Sequence, residues 1–239
     1  MLKLENVHIG YQKLLFQVDS LHLNTQSLVV IVGPNGTGKT TFLNTVLGLV
    51  KPIKGEVIIE NHDLSKLKRD EKAKLLSHVP SKFEGVTNLS VYDLIAMGRA
   101  PHTNLLNKLN DHDKEVISEV VEKLDIASLL KKNTTEISDG ERQMVMIAKA
   151  LVQETKVMVL DEPTAFLDYN NKRKIIKNLH DAAKSLDKLV LFSSHDIDLI
   201  SQTSDLIIYI DAEEKQLMKL PKNSSKEELI KTVFDVRSE

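Results

Sequence analysis

The chain has 239 residues, enough for one large domain or two small ones, and 41% of them are apolar and 28% charged, so a substantial core can form and wholesale disorder is excluded. Thirty-two lysines and arginines face 34 acids for a net charge of −2, which argues against a strongly basic nucleic-acid coat. There is no cysteine, so disulfides, thiolate metal sites and cysteine nucleophiles are excluded. No apolar run reaches the roughly 20 residues of a membrane span, and MLKLENVHIG lacks the apolar region of a secretory signal. The expectation is a soluble cytoplasmic protein that can still dock on a membrane protein.

Taken in chain order, residues 1–25 together with 55–60 read as short alternating strands, with Leu2, Leu4 and Val7 and then Leu21 and Leu23 on one side, and suggest an antiparallel flap. Leu28–Val32 is a compact apolar strand followed by a helical pattern over Thr40–Val50, and Val57–Ile59 is a further strand. The basic run Lys66–Lys74, broken by Asp70 and Glu71, reads as a solvated helix. Residues 88–135 hold no clear strand. Ser90 with Asp93 forms a capping box before Leu94–Met97, and Val116, Val120 and Leu124, with Ile117 and Val121, make a helical stripe. Helix Arg142–Val152, strand Val157–Leu160, helix Asn171–Ser185 and strands Leu189–Phe192 and Leu206–Ile210 follow. Ser225 with Glu228 opens a last short helix to about Phe234. Strands alternating with helices predict an α/β fold with a mostly parallel sheet. The expected organisation is one domain spanning 1–239, with an N-terminal antiparallel β subdomain and a helical subdomain, roughly 86–150, inserted in the core.

Glycine is scarce, nine in all, yet Gly33, Gly36 and Gly38 fall within six residues. Gly33-Pro34-Asn35-Gly36-Thr37-Gly38-Lys39-Thr40 satisfies the phosphate-loop pattern G-x-x-x-x-G-K-[ST] between a strand and a helix. Bare glycine backbone lets N–H groups converge on phosphate oxygens at a helix N-terminus. Lys39 would reach the β- and γ-phosphates of a nucleotide, the Thr40 hydroxyl would ligate Mg²⁺, and Thr41 adjoins it. Val157–Leu160 runs into Asp161 and Glu162. Asp161 suits the magnesium shell, and Glu162 suits a general base toward the attacking water. These segments place the chain among P-loop NTPases.

Further segments make the chain resemble the ATP-binding-cassette ATPases over nearly its whole length. Ser138-Asp139-Gly140-Glu141-Arg142-Gln143 is similar to that family's signature segment, Ala165-Phe166-Leu167-Asp168 to its D-loop, and Ser193-Ser194-His195-Asp196 to its switch-histidine segment. The resemblance implies that Tyr11 stacks on adenine and that His195 senses the γ-phosphate. It also implies a head-to-tail homodimer, in which Ser138 and the Gly140 amide contact the partner's γ-phosphate, and it places Asp168 of the D-loop among the nucleotide-binding residues.

Two positions depart from that pattern. Asp139 stands where the family usually has glycine. Ser81, after His78-Val79-Pro80, stands where it has a glutamine that contacts Mg²⁺ and links the helical insert to the core. A serine hydroxyl can ligate Mg²⁺ at shorter reach, through a water, which suggests retained ATP binding with altered hydrolysis or coupling.

The stretch Val91–Thr103, ending Met97-Gly98-Arg99-Ala100-Pro101-His102-Thr103, resembles cassettes of importers for chelated iron, haem or cobalamin and reports the class of permease. The expected activity is ATP hydrolysis coupled to import through a separate permease chain, on the inner face of the cell membrane. Competing readings are a soluble cassette in iron–sulfur-type assembly and a weakly hydrolytic, nucleotide-gated regulator. The remaining histidines show no metal-ligand spacing.

Overall fold

The computed structural model describes residues 1–82, 88–103, 108–165, 167–200, 203–220, 224 and 226–233. Its elements in chain order are β1 (Leu2–Gly10), β2 (Leu14–Leu23), β3 (Ser27–Val32), α1 (Lys39–Val46), β4 (Lys54–Ile59), β5 (His62–Asp63), α2 (Arg69–Leu75), β6 (Leu76–Val79), α3 (Val91–Ala96), α4 (Asp111–Lys123), α5 (Asp139–Leu151), β7 (Val157–Leu160), α6 (Tyr169–Ser185), β8 (Leu189–Ser193), α7 (Ile197–Ile200), β9 (Leu206–Asp211), β10 (Gln216–Lys219) and α8 (Lys226–Val233). Ser225 and Phe234, predicted to bound the last helix, and Phe166 of the D-loop segment lie outside the described residues.

A ten-stranded sheet runs in the order β5-β4-β1-β2-β10-β9-β3-β8-β7-β6. The strands β9, β3, β8, β7 and β6 are parallel, and β1, β2, β4 and β5 are antiparallel. Between these halves β10 pairs parallel to β2 and antiparallel to β9. The result is an α/β fold of the P-loop NTPase type.

The continuous apolar run of β3 follows from burial on both faces. Leu28, Val30 and Val32 join a core with Ile175, Ile176 and Leu179 of α6. Val29 and Ile31, with the opposite side-chain direction, join a second core with Phe42, Leu43 and Val46 of α1. In β1 the alternation Leu2, Leu4, Val7 skips a residue because the β1–β4 register breaks between Glu5 and His8. Asn6 there takes φ +49. Opposite it, Gly55 has φ +81, and a Cβ on it would lie 2.5 Å from the Asn6 carbonyl oxygen. The irregularity re-phases the strand so that both halves bury the same face.

The stripe Val116, Ile117, Val120, Val121 and Leu124 is buried as predicted. Helix α4 starts from Asn110, whose side chain accepts from the Asp113 N–H while Asp113 accepts from the Asn110 N–H, both at 2.9 Å. The turn Met97–His102, which sequence resemblance links to the permease class, faces inward at its centre. Arg99 is 1% exposed. Its guanidinium donates to Asp113 at 2.8 Å, to the Val152 carbonyl at 2.6 Å and to Glu154 at 2.6 Å. Gly98 is required here, since a Cβ would sit 2.1 Å from the Lys149 carbonyl oxygen. The Gln153 amide in turn donates to the carbonyls of Ala73 and Leu76 at 2.6 and 2.9 Å. The helical region is thus tied to the start of β6 through side chain–backbone bonds. No described helix is long and apolar enough to cross a membrane.

Candidate active site

The phosphate loop lies between β3 and α1. Gly33, Gly36 and Gly38 have φ of +145, +82 and +105, a backbone that L side chains rarely adopt and that turns N–H groups to one side. Gly38 takes the N-cap position of α1 without a side-chain cap, leaving the helix's first amides for a ligand. Lys39 is 6% exposed, and its ammonium donates to the carbonyls of Gly33 and Pro34, both at 2.8 Å. Burial pulls its pKa down, and the Glu162 and Asp161 carboxylates oppose that pull. Thr37 braces the loop by donating to the Pro34 carbonyl at 3.0 Å. Asn35 and Gly36 are exposed, and Thr41 is buried in α1.

Parallel register carries the other groups to the same edge. Ile31 pairs with Ser193 across β3 and β8, and Leu160 with Phe192 across β7 and β8. The loop, the acids and His195 therefore leave neighbouring strands at their C-terminal ends, where open α/β sheets bind ligands. The Thr40 hydroxyl donates to Asp161 Oδ2 at 3.0 Å, and the Ser193 hydroxyl donates to Asp161 Oδ1 at 2.6 Å. Ser193 also accepts from the Glu162 N–H at 2.8 Å, and Glu162 Oε1 meets His195 Nε2 at 2.7 Å. Glu162 itself has φ +48, a strained backbone for a side chain-bearing residue. One polar chain thus runs Thr40–Asp161–Ser193–Glu162–His195.

Ser193 was not singled out from the sequence as a site residue. The available signal was a hydroxyl ending an apolar strand, one position from the histidine segment's second serine. Beyond it, Lys172 holds Asp196 at 2.9 Å.

Among the described residues no cluster of three or more His, Cys, Asp or Glu could hold a metal. The pair Thr40 hydroxyl and Asp161 carboxylate instead offers two hard oxygens in contact. That donor set fits Mg²⁺, which takes one or two protein oxygens and fills its shell with phosphate and water.

A second group forms around the starts of α5 and α6. Ser138 accepts from the Glu141 N–H at 3.2 Å, and Glu141 accepts from the Ser138 N–H at 2.8 Å. Asp139 is drawn aside by Arg142 at 2.6 Å. Asp168 accepts from the Asn171 backbone and side-chain amides at 2.9 and 2.7 Å, and these bonds hold its carboxyl below the ordinary range. A Cβ on Gly140 would lie 3.2 Å from the Asn171 side chain, so Ser138, Gly140 and Asp168 belong to one surface. Among the described residues no hydrogen bond joins this surface to Lys39 or Glu162. Tyr11 is 66% exposed in the turn between β1 and β2. Ser81 is exposed beyond Pro80 and shares a cavity wall with His78 and Lys149.

Residues 16–165 match the family model described as "ABC transporter". Over the whole chain, 35% of residues are identical to an uncharacterised ABC transporter ATP-binding protein of Methanocaldococcus jannaschii, of which 82% is covered. A Helicobacter pylori protein named as an iron chelatin transport ATP-binding protein is 37% identical over 88% of this chain and 83% of its own. A cobalamin import ATP-binding protein of Halobacterium salinarum is 31% identical over 92% of this chain and 55% of its own. Among solved structures, an inward-facing ABC transporter described as metal-chelate type superposes with TM-score 0.82 at 29% identity, covering 98% of this chain and 88% of that one. A dimeric ATP-binding cassette in a post-hydrolysis state with ADP and Pi superposes with TM-score 0.77 at 25% identity, covering 93% and 100%.

Proposed function

The chain belongs to the ABC transporter family of ATP-binding subunits and is an ATPase, and from that premise we propose that it drives a metal-chelate-class importer as a head-to-tail dimer on a separate membrane permease. The observation that carries the catalytic part is the polar chain from Thr40 to His195, which joins the phosphate loop, both acids and the switch histidine. Its roles follow from the chemistry. The glycine backbone and Lys39 bind the triphosphate, and Tyr11 offers a ring face to the base. Thr40 and Asp161 would hold Mg²⁺, with Ser81 at one water's remove. When bound, Mg²⁺ supplies positive charge against the phosphate oxygens. Glu162 takes the proton of the attacking water, and His195 fixes the Glu162 carboxylate through its hydrogen bond.

Among the described residues Ser138, Gly140 and Asp168 form a surface without hydrogen bonds to this centre, which suits their serving a partner's nucleotide. The dimeric cassette with ADP and Pi supports that arrangement. The relatives named for iron chelatin and cobalamin, with the metal-chelate-type structure, support the cargo class. The whole chain is then one ATPase domain with a helical insert at roughly 86–150, positioned on the cytoplasmic side of the membrane. Ser81 favours a second reading on rate alone, in which the same subunit hydrolyses slowly until the permease engages it.

The test is Glu162→Gln, assayed for steady-state ATPase and for mass in ATP–Mg²⁺. Loss of a general base predicts a fall of about 10²–10³-fold in kcat, with dimers accumulating in ATP. Activity within threefold of the unaltered protein would falsify the base assignment. A specific activity independent of protein concentration would remove the dimer.

A further inference from the structure

His195 meets Glu162 through one bond at 2.7 Å, and among the described residues its imidazole has no other hydrogen-bond partner. A ring held by a single bond takes its direction from the backbone on either side. Ser194, before it, is 2% exposed and donates its N–H to the Ile31 carbonyl at 3.1 Å, which ties the segment to β3 just ahead of the phosphate loop. Asp196, after it, donates its N–H to the Ser194 hydroxyl at 3.0 Å and accepts from the Lys172 ammonium at 2.9 Å. The histidine therefore hangs between an anchor on the sheet and an anchor on α6. Lys172 lies in the first turn of α6, with its N–H bonded to the Asp168 carbonyl at 3.0 Å, and that turn contains no acid. A cation there runs against the helix macrodipole, so the residue is badly placed for helix stability. Its ammonium is answered instead from a segment 24 positions along. The side chains of the pair are 27% and 26% exposed, and both line a cavity of about 500 Å³ together with Glu162 and His195. Partial withdrawal from water strengthens the attraction between them.

We propose that Lys172 is a positioning residue for ATP hydrolysis, which through Asp196 sets the direction in which His195 meets Glu162. The proposal rests on the reading above, in which His195 fixes the Glu162 carboxylate, and adds what fixes the histidine. Without the ammonium, Asp196 keeps its backbone bond to Ser194 but loses its tie to α6. The imidazole then swings on one anchor, and the Glu162 carboxylate loses its fixed orientation toward the attacking water. Nucleotide binding is spared, because the glycine backbone and Lys39 are held by bonds of their own.

The experiment measures steady-state ATPase, affinity for a fluorescent ATP analogue and melting of the full chain. It compares Lys172→Met, Asp196→Asn and His195→Ala, alone and combined. The expected result for Lys172→Met is a fall in kcat of about tenfold, the scale on which displacing a reacting group acts, with nucleotide affinity within about twofold. Lys172→Arg keeps the charge on a stem of similar reach and should hold kcat within about threefold. Lys172→Met with Asp196→Asn should cost no more than the worse of the two alone. In the His195→Ala chain, Lys172→Met should cost nothing further, since a residue that acts through another has no effect once that one is gone. If the methionine chain fails to fold, Lys172→Gln takes its place in each comparison. A kcat unchanged by Lys172→Met while His195→Ala lowers it overturns the proposal alone. So does a fall that multiplies with that of His195→Ala, or a loss of nucleotide affinity as large as the loss of kcat. A kcat unchanged by His195→Ala overturns the histidine's part in the reading above, and the proposal with it.

Discussion

Replacing Arg99 with methionine tests whether the turn at Met97–His102 is a fastening or a passive surface. Arg99 and Asp113 are each 1% exposed, and their contact is 2.8 Å. Glu154, the other carboxylate on Arg99, is far more exposed, at 43% for its side chain, so it contributes less. Removing one partner of a buried ion pair leaves an uncompensated charge and costs about 3–5 kcal/mol. Asp113 keeps its bond from the Asn110 N–H, which places the expectation near about 3 kcal/mol on that scale. For a chain of this size each kcal/mol lowers Tm by roughly 2–4 °C. Urea unfolding followed by both circular dichroism and intrinsic tyrosine fluorescence reads the loss and checks that the transition is cooperative. The double variant Arg99→Met with Asp113→Leu removes both charges and should recover most of the loss. About 1 kcal/mol stays missing because Asp113 also caps α4. A cost below about 1 kcal/mol for Arg99→Met, or a double variant that is simply the sum of two losses, refutes the buried-pair reasoning.

Other consequences are as direct. Ser193→Ala should lower kcat about tenfold with a smaller change in KM, because it frees both Asp161 and the Glu162 N–H without touching nucleotide; an unchanged kcat rejects a positioning role. Burial lowers the Lys188 pKa from 10.5 to about 8, so between those values the unfolded chain binds more protons than the fold and stability rises with pH. Lys188→Met should therefore remove a slope of up to about 1.4 kcal/mol per pH unit in that window, read as the difference between unfolding curves of the two proteins at pH 7.5 and 10; parallel curves contradict it. Asp139→Asn removes an anion beside the proposed in-trans phosphate and should lower KM for ATP severalfold only at protein concentrations that support the dimer; an equal effect on dilute monomer points to another cause.

What the sequence reveals depends on whether a signal is local. Leu28–Val32 and Val157–Leu160 are legible because burial on both faces writes a continuous apolar run, and the phosphate loop because phosphate demands glycine at set intervals. The helix of the signature segment starts at Asp139 rather than Arg142 because Ser138 and Glu141 cap each other, a pattern visible in the residues once they are read as a cap. Arg99 was legible only as part of a family-like stretch. Its partners lie 14 and 55 residues away, and nothing in the local pattern says that a guanidinium will be buried. Ser193 is similar, since its two contacts exist only after parallel pairing brings β7 beside β8. The skipped residue at Asn6 needed Gly55 from another strand to make sense. Asp139, a departure from the family pattern in the sequence, has its carboxylate turned aside by Arg142, one turn along.

The Arg99 fastening bears on how such subunits exchange parts. It is made by two stretches distant in the chain, Gly98–Arg99 and Val152–Glu154, with Asp113 between them. A chimera that transplants residues 86–150 from a related cassette carries the arginine with Asp113 and leaves its acceptors at 152 and 154 behind. Such a graft keeps the buried Arg99–Asp113 pair but loses the Glu154 carboxylate and depends on its host to present the backbone carbonyl at 152 in register. The transferable unit is longer than the helical region and ends past Thr155, whose hydroxyl already bonds Ser77 on β6 at 2.9 Å. Recombination, natural or engineered, that respects this border should yield more stable hybrids than shorter exchanges.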